Sequence, residues 1–361
     1  MERRRKSRWW LAGLPSVLAA FGAAAVLASP SQPGADNAAA ASVPAPRVGQ
    51  GMVLDEARRQ VVLFGGGLRS MADWRHAWAD DTWTWSGSSW RLMRTPDHPS
   101  ARGGVAMASY AAGKQVVLFG GQTTVAVGQG HEDRLLNDTW TWDGSTWTKR
   151  SPAHSPPARA DASMAFDGQR LVLYGGAGQA GLMQDTWAWT GDDWLQLSGG
   201  GPARPQAGAQ LVRDEAQGRV LAIQSCAPDR GNLQASHHAA FDGAGWTEQT
   251  GGGLDAVSAR CGGAVAYDRM RRQLIVFGGT YDLPDNALTG PARRVQGDTL
   301  VGDGASWKVL ATAAAPPARI GATASFDPNS GAVILFGGSS QGGVLLNDTW
   351  AWDGSRWRSL V

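Results

Sequence analysis

The chain repeats one arrangement of short segments six times, and this repetition limits its possible folds more than any other feature. A repeat of about fifty residues is the size of one supersecondary unit that stacks on its neighbours. Each unit contains, in order, an arginine, an apolar strand, a strand ending in two glycines, a variable loop, an Asp-Thr-Trp strand, a turn and a strand beginning with tryptophan. The opening arginines are Arg47, Arg102, Arg159, Arg204, Arg260 and Arg319, and the closing tryptophans are Trp90, Trp147, Trp194, Trp246, Trp307 and Trp357.

The best preserved part of the unit is NDTWTWDGSTW at 137–147, which returns as NDTWAWDGSRW at 347–357. Because side chains alternate along a strand, Trp140 and Trp142 share one face and Thr139 and Thr141 share the other. The Asp-Gly pair that follows is a strong hairpin signal, so the string predicts two antiparallel strands. Most of the 18 tryptophans occupy such repeated positions, and this recurrence favours a packing role over a binding role.

Four short strands per unit are typical of the blades of a β-propeller. The sequence therefore predicts an all-β fold, with one domain at 47–361 forming a six-bladed β-propeller of four-stranded blades. The expected blades lie at about 47–98, 99–155, 156–200, 201–256, 257–315 and 316–361. We expect each blade to be built from contiguous sequence, because no strand is left over at either end, and the ring to close by side-chain packing between blades one and six.

Two units depart from the pattern. In the fourth, LAIQSC at 221–226 replaces the strand with two glycines, and HHAAFDGAGW at 237–246 replaces the tryptophan hairpin. In the fifth, Leu300 follows Asp-Thr where other units have tryptophan.

The glycine pair after the second strand, the tryptophan of the fourth strand and the spacing between them resemble kelch repeats. The NDTW string is similar to that of bacterial kelch-like proteins of the galactose-oxidase central-domain type, and the resemblance covers residues 47–361. It implies a kelch-type propeller, and such propellers mostly bind other molecules and only occasionally catalyse reactions.

The residues before the repeats predict a membrane or export segment and a linker. Residues 1–28 comprise the basic stretch Met1–Arg8 and the mostly apolar stretch Trp9–Ala28, which is long enough to cross a bilayer as a transmembrane helix. Its length favours an uncleaved anchor, and the preceding arginines place the propeller outside the cytoplasm; a signal peptide cleaved after Ala28 is the alternative. Residues 29–46 are rich in Pro, Ala and Ser, and we expect a flexible, disordered linker.

The charge and cysteine content narrow the function classes. The chain has 33 basic and 31 acidic residues, and Met1–Arg8 contains five of the basic residues and one of the acidic residues. The rest of the chain therefore carries slightly more acidic than basic residues. A nucleic-acid-binding domain would carry a basic surplus, and the composition argues against that class. Cys226 and Cys261 fall near one face of adjoining blades, where a disulfide and two separate buried thiols are both compatible with the pattern.

The loops between second and third strands differ most between units, at Gly67–Asp80, Gln122–Leu136 and Thr280–Gly297. They emerge on the face where the first strands begin, and loops on one face of a rigid scaffold are the usual place for recognition. Trp74 and Trp78 lie off the repeated positions, and their spacing of four places both on one side of a helical turn. They either contact a ligand or cover the flank of blade one.

The opening arginines are the second candidate site. If the first strands are innermost, six guanidinium groups surround one mouth of the central channel. In the kelch domains that this chain resembles, arginines of an Arg-x-Gly pattern line a ligand pocket. Arg159 and Arg204 depart from that pattern, and the arginines that match it are Arg47, Arg102, Arg260 and Arg319.

Recurrence favours a different role for these arginines, namely pairing with the Asp-Thr-Trp aspartates. Unit four lacks that aspartate and has His238 or Ala239 near its position, so we expect Arg204 to be the least paired. An anionic ligand would then bind near Arg204 and Arg260, and Arg260→Ala would weaken it while leaving the melting temperature nearly unchanged.

Catalytic patterns are missing from the sequence. Galactose oxidase holds copper with tyrosines, histidines and a Tyr–Cys crosslink, but the four tyrosines and six histidines here have no such spacing. The sialidase Asp-box needs Asp-x-Gly, whereas Asp143 and Gly144 are adjacent. His131, Glu132 and Asp133 could bind a metal, but the pattern favours a solvated polar loop. We therefore predict no catalytic residue, no cofactor and no metal.

Together these features predict a monomeric propeller, secreted or held at the cell membrane by a single N-terminal anchor, that binds a protein or carbohydrate partner outside the cytoplasm. Two alternatives stay open. One is an enzyme acting on an acidic sugar at the arginine-lined mouth, similar to a sialidase or an epimerase, and the other is a structural envelope scaffold. A buried carboxylate among the arginines would favour the enzyme, and exposed Trp74 and Trp78 would favour protein binding.

Overall fold

The computed structural model describes residues 42–68, 77–128, 130–198, 200–202, 208–223, 238–249, 260–282, 293–304, 306–312 and 314–361. The regular secondary structure within these ranges is β-strand, which confirms the all-β prediction. Within the same ranges no helix has the length and hydropathy needed to cross a bilayer. The predicted N-terminal helix at 9–28, and the linker up to residue 41, lie outside the described residues.

The described strands include six four-stranded antiparallel sheets, numbered here along the chain. In sheet 1 the strands are Gly51–Asp55, Gln60–Phe64, Thr82–Trp85 and Trp90–Met93. In sheet 2 they are Ala106–Tyr110, Gln115–Phe119, Thr139–Trp142 and Trp147–Arg150. In sheet 3 they are Ser163–Phe166, Leu171–Tyr174, Thr186–Trp189 and Trp194–Gln196.

The second half of the chain repeats this order. In sheet 4 the strands are Gln210–Asp214, Arg219–Ile223, His238–Phe241 and Trp246–Gln249. In sheet 5 they are Ala264–Asp268, Gln273–Phe277, Thr299–Gly302 and Trp307–Leu310. In sheet 6 they are Thr323–Asp327, Ala332–Phe336, Thr349–Trp352 and Trp357–Ser359. Each sheet is built from contiguous sequence, as the repeat predicts.

Three small ladders extend the loops that follow the second strands. Sheet 2 carries a hairpin of Gln122–Val127 and Gly130–Leu135, and sheet 5 carries a pair of Thr280–Asp282 and Arg293–Val295. Beside sheet 3, Arg159–Ala160, Ala177–Gly178 and Gly181–Leu182 form a third ladder.

The six first strands form a closed cycle. Each contacts the first strand of the next sheet, and that of sheet 6 contacts that of sheet 1, so the first strands are innermost around a central channel. The paired glycines allow neighbouring sheets to approach closely. Gly65, for example, has φ +70°, and a Cβ there would lie 2.5 Å from the carbonyl oxygen of Arg102 in sheet 2.

The closing tryptophans fasten each sheet to the preceding one. The ring of Trp147 packs edge-on against Phe64 of sheet 1, with centroids 5.5 Å apart, and its indole N–H donates to Thr82 Oγ1 at 2.8 Å. The same contact joins sheet 1 to sheet 6, where Trp90 lies 5.2 Å from Phe336 and donates to Thr349 Oγ1 at 2.9 Å. The first and last sheets are therefore joined by the side-chain packing that joins other neighbours.

The junction of sheets 4 and 5 is the exception. Among the described residues, Trp307 Nε1 has no hydrogen-bond acceptor. In most sheets the acceptor is the threonine that begins the third strand. In sheet 4 Phe241 pairs with Val220, just as Trp189 pairs with Leu171 in sheet 3. This register puts His238 where the other sheets have that threonine. The sequence analysis expects His238 or Ala239 near the aspartate position, and the register moves that position one residue earlier, to residue 237, which lies outside the described residues.

Candidate functional site

The opening arginines are interior groups with fixed partners. Arg102 is 1% exposed, and its Nη1 and Nη2 donate to the two carboxylate oxygens of Asp138 at 2.6 and 3.0 Å. Nη1 also donates to the carbonyl of Gly120, and Nε donates to that of Ser100. A planar fork donor held by acceptors on several sides is a positioned structural group. The equivalent ion pairs are Arg47–Asp81, Arg159–Asp185, Arg260–Asp298 and Arg319–Asp348.

These contacts agree with the pairing role that recurrence favours over an open ring of guanidinium groups. All five described arginines are at most 1% exposed, so the geometry favours the pairing alternative. The pairing includes Arg159, although Arg159 departs from the Arg-x-Gly pattern. The geometry also changes the expectation for Arg260→Ala, which would leave Asp298 without its partner and lower the stability. The predicted ligand role of Arg204 lies outside the described residues.

The paired aspartates belong to the same structural network. Burial alone raises the pKa of Asp138, but the hydrogen bonds and charge of Arg102, helped by the Trp140 indole N–H at 2.7 Å, lower that pKa below its ordinary value. The pKa values of Asp81, Asp185 and Asp348 are lowered by the same balance of causes. The Asp-Thr-Trp motif therefore serves the fold.

We expect this network to make the protein sensitive to acid. The folded-state pKa of each of these four carboxyls lies below the ordinary aspartate value of 3.8. Their contribution to stability is therefore complete above that value and is lost as the pH falls through the folded pKa. Thermal unfolding followed between about pH 5 and about pH 2 should show a progressive fall in melting temperature. A melting temperature that stays constant over this range would contradict the assignment.

Trp78 lies on the loop face, half-buried between sheets 1 and 2. Its backbone forms a β-bridge with Gly67, which corrects the predicted helical turn at this position. Its indole N–H donates to Thr124 Oγ1 at 2.9 Å in the hairpin of sheet 2. The ring covers Gly103, where a Cβ would lie only 2.3 Å from Trp78 Cζ3. Trp74 lies outside the described residues.

A ring of backbone hydrogen bonds marks the channel mouth on this face. Gly104 donates to the carbonyl of Gly49, Asp161 to that of Gly104 and Gly208 to that of Asp161, each at 2.9 Å. These residues precede the first strands, and glycine at this position has φ between +63° and +75°. Asp161 replaces the glycine in sheet 3 and has φ +55°, a conformation that costs energy for a residue with a side chain.

The carboxylate of Asp161 lies at this mouth. Its side chain is exposed to solvent, yet surrounding protein removes part of its hydration and raises its pKa, as expected for a group in a channel. A Cβ on Gly104 would lie 2.7 Å from Asp161 Oδ1, so the carboxylate faces Gly104. The neighbouring residue, Gly103, is the one that the Trp78 ring covers. No described residue donates a hydrogen bond to this carboxylate or forms an ion pair with it. Sequence reasoning missed Asp161 as a site, although its departure from Arg-x-Gly was the available signal.

At the opposite end, a charged cluster crosses the channel. Arg269 of sheet 5 donates through Nη1 to Glu56 Oε2 of sheet 1 at 2.8 Å, and its Nε lies 2.7 Å from Glu215 Oε1 of sheet 4. Each of the three follows the first strand of its sheet. Sheets 1 and 5 are not neighbours in the cycle, so this bridge spans the channel and obstructs it. We call this the hairpin end of the channel, because the first strands turn into the second strands here.

The possible metal ligands at 131–133 and one of the two cysteines lie among the described residues. Asp133 lies on the sheet 2 hairpin with His131 and Glu132, and it accepts a hydrogen bond from Thr124 Oγ1 at 2.7 Å. Within the described residues no cluster of three or more His, Cys, Asp or Glu could hold a metal. Cys261 is disulfide-bonded, and Cys226, the one other cysteine of the sequence, lies outside the described residues.

Comparison with known proteins identifies the fold. No protein-family model and no curated protein matches the chain. Among solved structures, the chain is similar to one described as "Structure of YjhT", with a TM-score of 0.63, 14% identity, and coverage of 88% of this chain and 98% of that chain. At this identity the likeness concerns the fold alone, and the fold is a β-propeller.

Proposed function

We propose that this protein is a six-bladed kelch-type propeller, exported or tethered to the membrane, that binds a glycan outside the cytoplasm without catalysis. One observation supports this function above the others: Asp161 lies against Gly104, the adjoining Gly103 is covered by the Trp78 ring, and Trp78 donates to Thr124 of the hairpin at 122–135. A carboxylate that accepts hydrogen bonds beside an aromatic ring is a common way to hold a sugar, because a ring face packs on C–H groups and the oxygens accept from hydroxyls.

The kelch assignment and the blade count rest on the repeated contacts. Six four-stranded sheets surround the channel, and the arginine–aspartate pair occurs in five of the described units. Because these recurring polar groups are engaged within the fold, recognition falls to the residues that differ between units.

An enzyme is the second candidate, favoured by one property of Asp161. A carboxyl with a raised pKa suits general acid–base chemistry. The acidic-sugar version depended on free arginines, and the five described arginines are engaged with aspartates. Binding without chemistry therefore explains more of the arrangement.

The proposed function is tested with the full-length protein on a glycan array, as native chain and as Trp78→Ala and Asp161→Asn variants. We expect the native protein to bind a set of glycans and both variants to bind them about ten-fold more weakly, since each loses a contact of roughly 1.4 kcal/mol. The control is Asp167→Asn, at the hairpin end of sheet 3. Equal binding by all four proteins, or binding by none, would reject the loop face as a glycan site.

The location outside the cytoplasm has its own test. If Trp9–Ala28 is an anchor, the protein should stay with membranes after high-salt and carbonate washing, and its N-terminus should lie at or near Met1. A soluble form that begins near Ser29 would instead show a cleaved signal peptide. Accumulation of the intact chain in the cytoplasm would contradict both forms of the proposal.

A further inference from the structure

Asp161 departs from the repeat in a way that the fold does not require. At the equivalent ring position the described sheets have Gly49, Gly104, Gly208, Gly262 and Gly321, each with positive φ. The other described non-glycine residues with positive φ are Arg59, Lys114 and Arg272, which lie in the turns between first and second strands. Asp161 is thus the one described ring residue that carries a side chain in this conformation.

Two of the glycine positions in the ring have room for a side chain. A Cβ added to Gly208 would meet no atom within 4 Å, and one added to Gly49 would meet only the Gly104 nitrogen, at 3.8 Å. At Gly104, Gly262 and Gly321 a Cβ would lie 2.4 to 2.7 Å from a neighbouring side chain, so the packing of the ring does not call for a side chain at this position. Strained residues that the surrounding structure holds in place cluster at functional sites, and the strain here comes with a solvent-exposed carboxylate.

Among the described residues, none supplies a positive charge that compensates this carboxylate. Desolvation is the sole cause that shifts its pKa, so no described cation acts on it. The opening arginines of sheet 3 and of the preceding sheet 2, Arg159 and Arg102, are already bound to Asp185 and Asp138. Arg269 belongs to the cluster at the other end of the channel. An anionic ligand group would be repelled at this mouth, and a cationic one would be attracted.

We infer that the glycan bound at this mouth is an amino sugar, whose ammonium group contacts the carboxylate of Asp161. This inference rests on the proposed function and names its ligand class. The half-buried ring of Trp78 covers the adjoining residue, Gly103, and offers a face on which a sugar ring or its ammonium group can pack. The apolar side chains of Val48 and Ile320, half-buried beside the ring glycines of sheets 5 and 6, add no charge.

The test compares three trisaccharides that differ in charge, measured by calorimetry with the full-length protein at several pH values between about 5 and about 7. The amine must be protonated and the carboxyl of Asp161, whose pKa is raised, must be ionised for the preference to appear. The probes are a glucosamine trimer, its N-acetylated form and a uronic acid trimer. We expect the glucosamine trimer to bind about ten-fold more tightly than the acetylated trimer, and the uronic acid trimer to bind least. Higher salt should reduce the preference.

Two variants of Asp161 separate charge from shape. Asp161→Asn keeps the size of the side chain and should bring the glucosamine and N-acetylglucosamine trimers to equal affinity. Asp161→Gly restores the residue of the other sheets, so it should remove the same preference while raising the melting temperature by a few degrees, because the strain is relieved. The rise in melting temperature shows that the ring has stayed folded.

Three results would overturn the inference. They are tighter binding of the uronic acid trimer, a charge preference that survives in Asp161→Asn, and a lysine tripeptide that binds as tightly as the glucosamine trimer, which would point to a basic peptide. If uncharged glycans bind at the loop face with no preference for amines, the inference fails and the proposed function stands. If the array shows no glycan that depends on Trp78, the proposed function itself fails.

Discussion

Replacing Arg102 with alanine should lower the free energy of unfolding by about 3–5 kcal/mol, because removing one partner leaves a buried charge without compensation. Asp138 would keep the Trp140 indole N–H and lose both guanidinium hydrogen bonds. The carbonyls of Gly120 and Ser100 would also lose their donor. Denaturant unfolding followed by tryptophan fluorescence measures the difference.

Arg356→Ala is the matched control for this prediction. Arg356 also pairs with an aspartate, Asp353, but its side chain is 70% exposed, and exposed pairs contribute about 0–1 kcal/mol. We expect the control to unfold like the native protein. If Arg102→Ala were equally stable but bound a ligand less well, the arginines would be binding groups after all, as their resemblance to kelch ligand-pocket arginines implies.

Replacing Trp90 with alanine should cost about 3–5 kcal/mol, since it empties a large buried volume at the junction of sheets 1 and 6. The side chain is 6% exposed and packs between Trp85 and Phe336, with ring centroids 5.4 and 5.2 Å away. Trp90→Phe would keep most of the packing and remove the hydrogen bond to Thr349, at a cost of about 1–3 kcal/mol. Thermal and denaturant unfolding of both variants test these values.

Trp307→Ala is the control at the exceptional junction. Trp307 occupies the same position in sheet 5, but it is only half-buried. It pairs across the strands with Gly302, whereas Trp90 pairs with Trp85. Its indole N–H has no hydrogen-bond acceptor among the described residues. Its loss should therefore cost less than that of Trp90, because less of the side chain is buried and no hydrogen bond to a described residue is lost. Equal losses at the two positions would show that the junctions do not depend on the contacts described above.

The repeat made the local architecture predictable. Alternation in the string at Asn137–Trp147 predicts two strands joined at Asp143–Gly144, and Trp147 pairs with Trp142 across that turn. The paired glycines correctly mark the ends of second strands. Both inferences depend on contacts between residues close in sequence, where side-chain period and turn chemistry act directly.

The direction of the arginine side chains was not predictable from the motif itself. Arg-x-Gly shows only that an arginine precedes a first strand, whereas its partner lies immediately before a third strand, 36 residues later for Arg102 and Asp138. The choice between an open mouth and a buried pair depends on how the end of the second strand and the start of the third enclose the guanidinium group. Recurrence favoured the pair, and the geometry agrees.

By itself, the sequence determined the sixfold unit, its strands and the closing tryptophans, because these follow from short-range periodicity and turn signals. Only the tertiary structure decided which residues face the channel. Asp161 takes its place there through hydrogen bonds to sheets 2 and 4, and Glu56, Arg269 and Glu215 meet across the channel from three different sheets. Such contacts exist only once the ring has closed, since closure brings together residues more than two hundred positions apart.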